Sequence, residues 1–201
     1  MVIRGPRLAL RYATEVDAPA LLELGGDPDV TRFFSWGPYD DIAQPLAYVE
    51  SLVAQRERGE RLELVIVDAG DQIVGVTGLS ELSVRNRRAV IGTWLGRAHW
   101  GTGVNAESKA LVLALAFGPL GLLRVTAWAN PDNGRSVAAL ERLGFEREGV
   151  LRSWHVHGGE PRDVAVLAFL REHWEGSPLA AVPVTIEGAP PPQFVTGDLA
   201  K

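Results

Sequence analysis

A strand, a glycine-punctuated turn and a helix follow one another between Ala89 and Phe117, and no other stretch restricts the fold as much. The strand is expected over Ala89 to Leu95, the turn over Gly96 to Gly103 and the helix over Val104 to Phe117. The second half of that helix (Leu111, Val112, Leu113, Leu115, Phe117) is apolar on nearly every side, which means burial against a sheet. The next strand, Leu122 to Ala129, completes a strand–helix–strand crossover, and such a crossover makes its two strands parallel. The turn leaves backbone N–H groups without partners at the start of the helix, where the dipole adds partial positive charge. Phosphate suits such a place. Gly101 and Gly103 carry no Cβ, so a pyrophosphate can approach the backbone closely there. An ordinary strand–helix turn satisfies the same glycine pattern, so the pattern alone does not assign a function.

The flanks read differently from the crossover. Leu62 to Asp68 and Ile73 to Leu82 form a hairpin around Ala69-Gly70-Asp71, and Phe145 to His157 pairs with Asp163 to Leu170 across Gly158-Gly159. Upstream, Arg7 to Arg11 alternates like a strand. Thr14, with Asp17 three residues on, caps a helix over Glu15 to Leu24. Asp27 to Pro45 is rich in turn residues and aromatics, and is read either as core packing down from above or as a pocket lining. A helix follows over Pro45 to Arg58, and a short one opens at Asn133 and ends near Leu143. Gly176 to Lys201 holds five of the 13 prolines. For this tail an edge strand around Val182 to Ile186, a contact with a second subunit in a homodimer, and a loosely ordered extension are all open readings.

Composition removes several classes of function. With no cysteine, disulfides, thiolate catalysis and cysteine-ligated metals are excluded. A net charge of -5 argues against a nucleic-acid partner. The start of the chain has no cleavage signature, and no run of about 20 apolar residues offers a membrane span. A soluble, cytoplasmic protein with no membrane partner is therefore expected. At 201 residues and 46% hydrophobic content the chain can bury a substantial core.

Two readings of the glycine turn compete. Gly101-x-Gly103-x-x-Ala106 satisfies the dinucleotide fingerprint, and Asp132 lies where a ribose-binding acid belongs. A doubly wound fold needs repeated strand–helix units, however, and here there is one crossover between antiparallel hairpins. The kinase-type phosphate loop fails outright, because Thr102-Gly103-Val104 supplies no Gly-Lys-Ser/Thr. The second reading uses Asn133-x-x-Ser136, at the start of the helix after the crossover. Two neighbouring parallel strands that splay apart at their ends hold a long thin ligand, with its phosphates on the first helix and its reactive end near the second.

An ordered set of motifs supports the second reading. It comprises Ile91-Gly92-Thr93-Trp94-Leu95, Trp100-Gly101-Thr102-Gly103, Asn133-x-x-Ser136, Leu140-Glu141-Arg142-Leu143-Gly144-Phe145 and Glu148-Gly149-Val150-Leu151-Arg152, with Arg162-Asp163 and Glu172-His173-Trp174 near the end. From about Leu8 to Trp174 the sequence resembles the GCN5-related N-acetyltransferases (GNAT), in particular the branch that acetylates protein N-termini and similar amines. The resemblance implies an α/β fold with a mixed, mostly antiparallel sheet of about seven strands splayed at its central parallel pair, and about four helices. It implies a domain over residues 1–175 and a Pro-rich tail over 176–201.

It also implies acetyl-CoA as co-substrate and direct transfer of the acetyl group to a primary amine: a protein N-terminus, a lysine or a small molecule. The pantetheine arm would pair with Trp94, Leu95 and Gly96, and the pyrophosphate would lie on the turn of His99, Trp100, Gly101, Thr102, Gly103, Val104 and Asn105. The family often has Gln or Arg three residues before the first glycine; this chain has Ala98, with Arg97 beside it as a substitute. Asn133 caps its helix and, on the family pattern, touches the arm. Ser136 matches the position facing the sulfur of the coenzyme. The attacking amine must be neutral, so a group titrating near neutral pH has to take a proton. His155 is the first candidate, because an unperturbed imidazole titrates near ~6.5, and Glu81 is the reserve. Phe33, Phe34, Trp36 and His157 would join His155 around the acceptor. His155 and His157 lack a third ligand of the right type, so no metal is expected. A binding module that keeps the fold and acyl-CoA without turnover, and a dinucleotide-dependent enzyme, are the alternatives.

Overall fold

The computed structural model describes residues 1–196. Nine strands form one sheet: β1 Val2–Arg4, β2 Leu8–Arg11, β3 Arg61–Asp68, β4 Ile73–Ser83, β5 Arg88–Leu95, β6 Arg124–Ala129, β7 Glu146–His157, β8 Glu160–Leu170 and β9 Thr185–Glu187. Their order across the sheet is β7-β8-β6-β5-β4-β3-β2-β1-β9. Only β5 and β6 run parallel among the described strands; every other neighbouring pair is antiparallel. Five α-helices accompany the sheet: α1 Ala18–Gly25, α2 Pro28–Thr31, α3 Ala43–Glu57, α4 Val104–Phe117 and α5 Gly134–Arg142.

The counts of about seven strands and about four helices are therefore low. The additional strands β1 and β9 pair with each other over three residues each, at the sheet edge away from β7. Ladders this short carry no readable period. The additional helix, α2, is a single turn inside the aromatic segment. It forms because Asp27 accepts from the Asp29 amide at 2.8 Å and Pro28 fills the first helical position.

Segment 176–196 packs on the sheet as well as pairing with it. Phe194 is fully buried, and the Thr196 amide and hydroxyl both donate to the Leu120 carbonyl, at 3.0 and 2.7 Å. The rest of the expected tail, 197–201, lies outside the described residues.

The two faces of the sheet differ. On one, α4 and α5 cover the larger core, which includes Leu10, Leu64, Ile91, Leu111, Val125, Leu140 and Phe169. On the other, α1 and α3 cover a smaller cluster of Leu21, Val49, Val65, Val67 and Val76. Because strand residues alternate faces, Thr93 lies with Ile91 and Leu95 toward α4, while Gly92 and Trp94 lie toward α1 and α3.

Candidate functional site

The parallel pair is closed at one end and open at the other. β5 and β6 are in register from Arg88 opposite Arg124 to Ile91 opposite Ala127, and then they part. Beyond that point β5 stays on β4, with Leu95 opposite Gly75, while β6 stays on β8, with Ala129 opposite Ala165. Gly92 to Leu95 therefore present one edge of backbone to a gap. The gap is narrow at Gly92 and widens toward Leu95.

The glycine turn sits at the wide end. Gly96 enters a short 3-10 turn over Arg97–His99, and the Trp100 indole N–H donates to the Leu95 carbonyl at 2.9 Å, which pins the start of the turn to the end of β5. Gly103 then caps α4 in the left-handed region, at φ +90°. Among the described residues, the amides of Gly101, Thr102, Gly103, Val104, Asn105 and Ala106 donate to nothing; Glu107 is the first whose N–H reaches back into the helix, to the Gly103 carbonyl. Gly101 has φ +74°, and a Cβ added there meets no atom within 4 Å.

A second chain segment holds this turn in place. The Glu107 carboxylate, buried, accepts from the amides of Arg7 at 2.7 Å and Leu8 at 3.0 Å and from Arg7 Nε at 2.9 Å. Arg7 Nη1 reaches the Thr102 carbonyl at 3.3 Å. The link between β1 and β2 is thereby fastened to the first turn of α4.

Around the gap lies a cavity of about 400 Å³. The expected donor-site residues Trp94, Leu95, Trp100, Gly101, Gly103 and Asn105 line it on one side, and Asn133 and Ser136 on the other. The Asn133 carboxamide oxygen accepts from the Ser136 amide at 3.2 Å, so it caps α5, and the Ser136 hydroxyl has no hydrogen-bond partner among the described residues. Gly96, Arg97, His99, Thr102 and Val104 do not line the cavity. Arg97 is turned away, bound to Asp29 at 2.6 Å and near Asp27 at 3.7 Å. Arg135 reaches the cavity instead, with its guanidinium 3.3 Å above the Trp100 ring.

The aromatic segment does both things its composition allowed. Phe33 and Phe34 line the cavity, while Trp36 stacks on Phe34 (5.3 Å between centroids) and packs edge-on against Trp94 (5.3 Å). On that same face Gly92 is exposed although it sits on a central strand, and nothing lies within 4 Å of a Cβ built on it. His155 is half-buried against Trp128 of β6 at 5.7 Å, with His157 stacked 5.7 Å beyond it. Burial, then the neighbouring His155 and Arg162, lower the His157 pKa. Neither histidine lines the 400 Å³ cavity. Glu81 does not either: it is exposed, at φ +48°, in the bulge past Ser80, which lies opposite Val90 on the closed side of the gap. No cluster of three metal-ligating side chains occurs among the described residues.

Besides Arg135, two groups are additional to those expected. Glu63 lies across Gly78 from Gly92 on the α1/α3 face and accepts from the Tyr48 hydroxyl; burial, then the Glu63 charge, push that phenol's pKa well above the usual value. Lys109, buried on α4, lines the cavity and donates to Asn105 Oδ1 at 2.8 Å and Thr93 Oγ1 at 3.1 Å. Its position had a signal. Lys109 is the last charged residue before the half of the helix that is apolar on nearly every side and so packs against the sheet, and Asn105 lies one turn before it.

A family model described as an acetyltransferase (GNAT) domain matches residues 7–146. The uncharacterized N-acetyltransferase p20 of Bacillus licheniformis is 31% identical over 171 residues, which is 85% of this chain and 96% of p20. Among solved structures, the ribosomal L7/L12 α-N-protein acetyltransferase RimL, in complex with coenzyme A, shares the fold at TM-score 0.76 and 23% identity, over 85% of this chain and 98% of that one. The microcin C7 self-immunity acetyltransferase MccE, in complex with acetyl-CoA and AMP, shares it at TM-score 0.75 and 24% identity, over 83% and 93%.

Proposed function

The chain belongs to the GNAT acetyltransferase family, and we propose that it moves an acetyl group from acetyl-CoA directly to a primary amine. One observation carries the reading: β5 and β6 separate after Ile91 and Ala127, with six unbonded amides at the wide end of the separation. An elongated donor with phosphates fits that shape. The amides of Gly101 to Ala106, on the positive end of the α4 dipole, hold its phosphates. The free edge of β5 from Gly92 to Leu95 offers main-chain groups to its arm, as a sheet edge does to an added strand. With the phosphates at the wide end, the reactive end points to the narrow one, beside Gly92 and Thr93.

When bound, the donor supplies a thioester. The chain's own groups then do three things. The gap and turn orient the donor, an effect worth about 7–11 kcal/mol in well-placed systems. Ser136, at the N-terminus of α5 with its hydroxyl free of protein partners, donates to the departing sulfur. His155, on the α1/α3 face beside Trp128, takes the amine's proton through water, a role worth about 10²–10⁴-fold. The acceptor arrives on that face, where Gly92 leaves the centre of the sheet uncovered. Transfer is direct on this reading, and the chain has no cysteine that could carry the acyl group as a thioester. No helix among the described residues is long and apolar enough to cross a membrane.

The test pairs binding with turnover. CoA is expected to raise the unfolding temperature and NAD(P) is not, and acetyl-CoA with a panel of primary amines is expected to release free thiol. CoA protection without turnover on any amine would favour a binding module. Protection by NAD(P) alone would restore the dinucleotide reading.

A further inference from the structure

The chain has 20 lysines and arginines, and only Lys109 and Lys201 are lysines. Lys109 occupies the most confined place of any basic residue among the described ones, 5% exposed on the cavity wall. Its two partners, Asn105 and Thr93, are neutral. Among the described residues no carboxylate lies within ion-pair distance of it. The charged groups that share its cavity are otherwise engaged or like-charged: Asp29 is paired with Arg97, and Arg135 and Arg142 are cations. On its own helix, Glu107 is bound to Arg7. The facing strands present Thr93 and Thr77, which do not titrate. An arginine here would stay charged under all conditions, whereas a lysine can surrender its proton when buried.

The hydroxyls beyond it form an ordered series. Lys109 donates to Thr93 Oγ1, which leaves the Thr93 proton for Thr77 Oγ1 at 2.7 Å and the Thr77 proton for the Gly92 carbonyl at 3.1 Å. Thus two of the three N–H groups of an ammonium at Lys109 would be used within the protein. The third has no protein acceptor, and the residue borders the cavity.

We propose that Lys109 is a donor-binding residue whose missing counter-charge is the anionic coenzyme itself, so that CoA binding and protonation of the Lys109 amine occur together. The inference rests on the acyl-CoA reading above. Burial lowers the Lys109 pKa from 10.5 to about 7, and an anion brought into the cavity raises it again. Between those two limits the free protein holds a neutral amine and the complex an ammonium. Binding therefore consumes a proton, and affinity falls as pH rises through that window.

Isothermal titration of the full chain with CoA at about pH 8, in buffers of different ionisation heat, reads the proton count directly. The expected result is uptake approaching one proton for the wild type, beyond that of a Lys109→Met variant, which keeps the length of the side chain without the charge. The wild-type Kd should rise with pH by up to about tenfold per unit, while the Met variant is flatter and weaker. Subtracting the variant also removes protons taken up by the coenzyme's own phosphates. Pantetheine, which lacks those phosphates, should bind without the uptake. CoA binding to the wild type with no proton taken up overturns the inference whether or not the variant folds, and so does uptake with pantetheine. Failure of CoA to bind at all would instead remove the transferase reading on which it rests.

Discussion

Two glycine-to-alanine substitutions should separate the two faces of the site. At Gly101 an added Cβ meets nothing, so the only structural penalty is the left-handed φ of +74°. That costs roughly 1–2 kcal/mol for alanine, equivalent in a chain this size to a fall in Tm of about 2–8 °C. The protein should fold. The methyl group would nevertheless stand among the six unbonded amides, where a phosphate has to approach the backbone. A loss of at least about tenfold in CoA affinity, or 1.4 kcal/mol, is expected by calorimetry. Gly92→Ala is the complement. Gly92 is not among the residues of positive φ and its Cβ also meets nothing, so alanine should stabilise by about 0.4–1 kcal/mol through the unfolded chain. Its methyl group points to the α1/α3 face, so KM for the amine should rise while the CoA Kd stays level. CoA binding by Gly101→Ala at wild-type strength would show that phosphates do not lie over that turn. A loss of CoA affinity in Gly92→Ala with unchanged amine kinetics would show that donor and acceptor faces are assigned the wrong way round.

Four other outcomes follow from the same geometry. Glu107→Ala leaves the buried Leu8 amide without an acceptor and removes a carboxylate from two Arg7 donors; with the exposed Arg7 side chain discounted, a loss of about 2–4 kcal/mol is expected, and a urea melt within 0.5 kcal/mol of wild type would contradict it. Burial raises the Asp17 pKa, but hydrogen bonds from Arg11 and Thr14 outweigh it and hold it below the usual value. That stability is present above about pH 4 and is lost as pH falls through the native pKa; Asp17→Asn should flatten the acid limb of the melting profile. Ser136→Ala and His155→Ala should each lower kcat by about 10²–10⁴-fold without abolishing turnover, and an unchanged kcat in either would remove that residue from the chemistry. Arg135→Ala should weaken CoA binding because Arg135 borders the cavity, whereas Arg97→Ala, which breaks pairs with Asp27 and Asp29, should not.

The parts of the fold that were legible in the sequence are those with local physics. The crossover from Ala89 to Ala129 announced itself through an apolar helix and glycines that only a tight turn needs. The two hairpins announced themselves through alternation and their Gly-containing turns. The edge strand offered around Val182 to Ile186 is present as β9, shifted to Thr185–Glu187, but its partner β1 had no such signal, because that three-residue ladder forms only when the two segments meet at the sheet edge. The face on which His155 lies was not readable either. The pairing of β7 with β8 slips by one residue between Arg147, opposite Leu167, and Gly149, opposite Val166, and this one bulge reverses the inside–outside alternation that counting from Phe145 assumes. The further slip between Leu151 and His155, where Ser153 takes φ +51° and its amide donates to Asp163 Oδ1 at 2.8 Å, is of two residues and leaves the alternation unchanged. Glu81 failed to reach the cavity for a related reason: composition places it on the central hairpin but cannot say which end of that hairpin adjoins the gap.

The departure at Ala98 shows how the site's charge can be redistributed without changing the backbone that carries it. Ala98 brings no hydrogen-bonding side chain to the turn, and its neighbour Arg97 is held by two aspartates of the α2 region. The glycine turn keeps its six free amides regardless, since these follow from Gly101, Gly103 and the start of α4, not from any side chain. Basic groups enter the cavity from other elements: Arg135 from the first turn of α5, laid over Trp100, and Lys109 from within α4. Both are partly stripped of water, Arg135 enough for burial to lower its pKa, so each interacts with an anion more strongly than an exposed side chain would. A glycine turn followed by a helix fixes where phosphate can sit. The residues that supply charge around it are free to come from any element that faces the gap, which is why motif matching at position 98 alone is a poor guide to whether such a site binds.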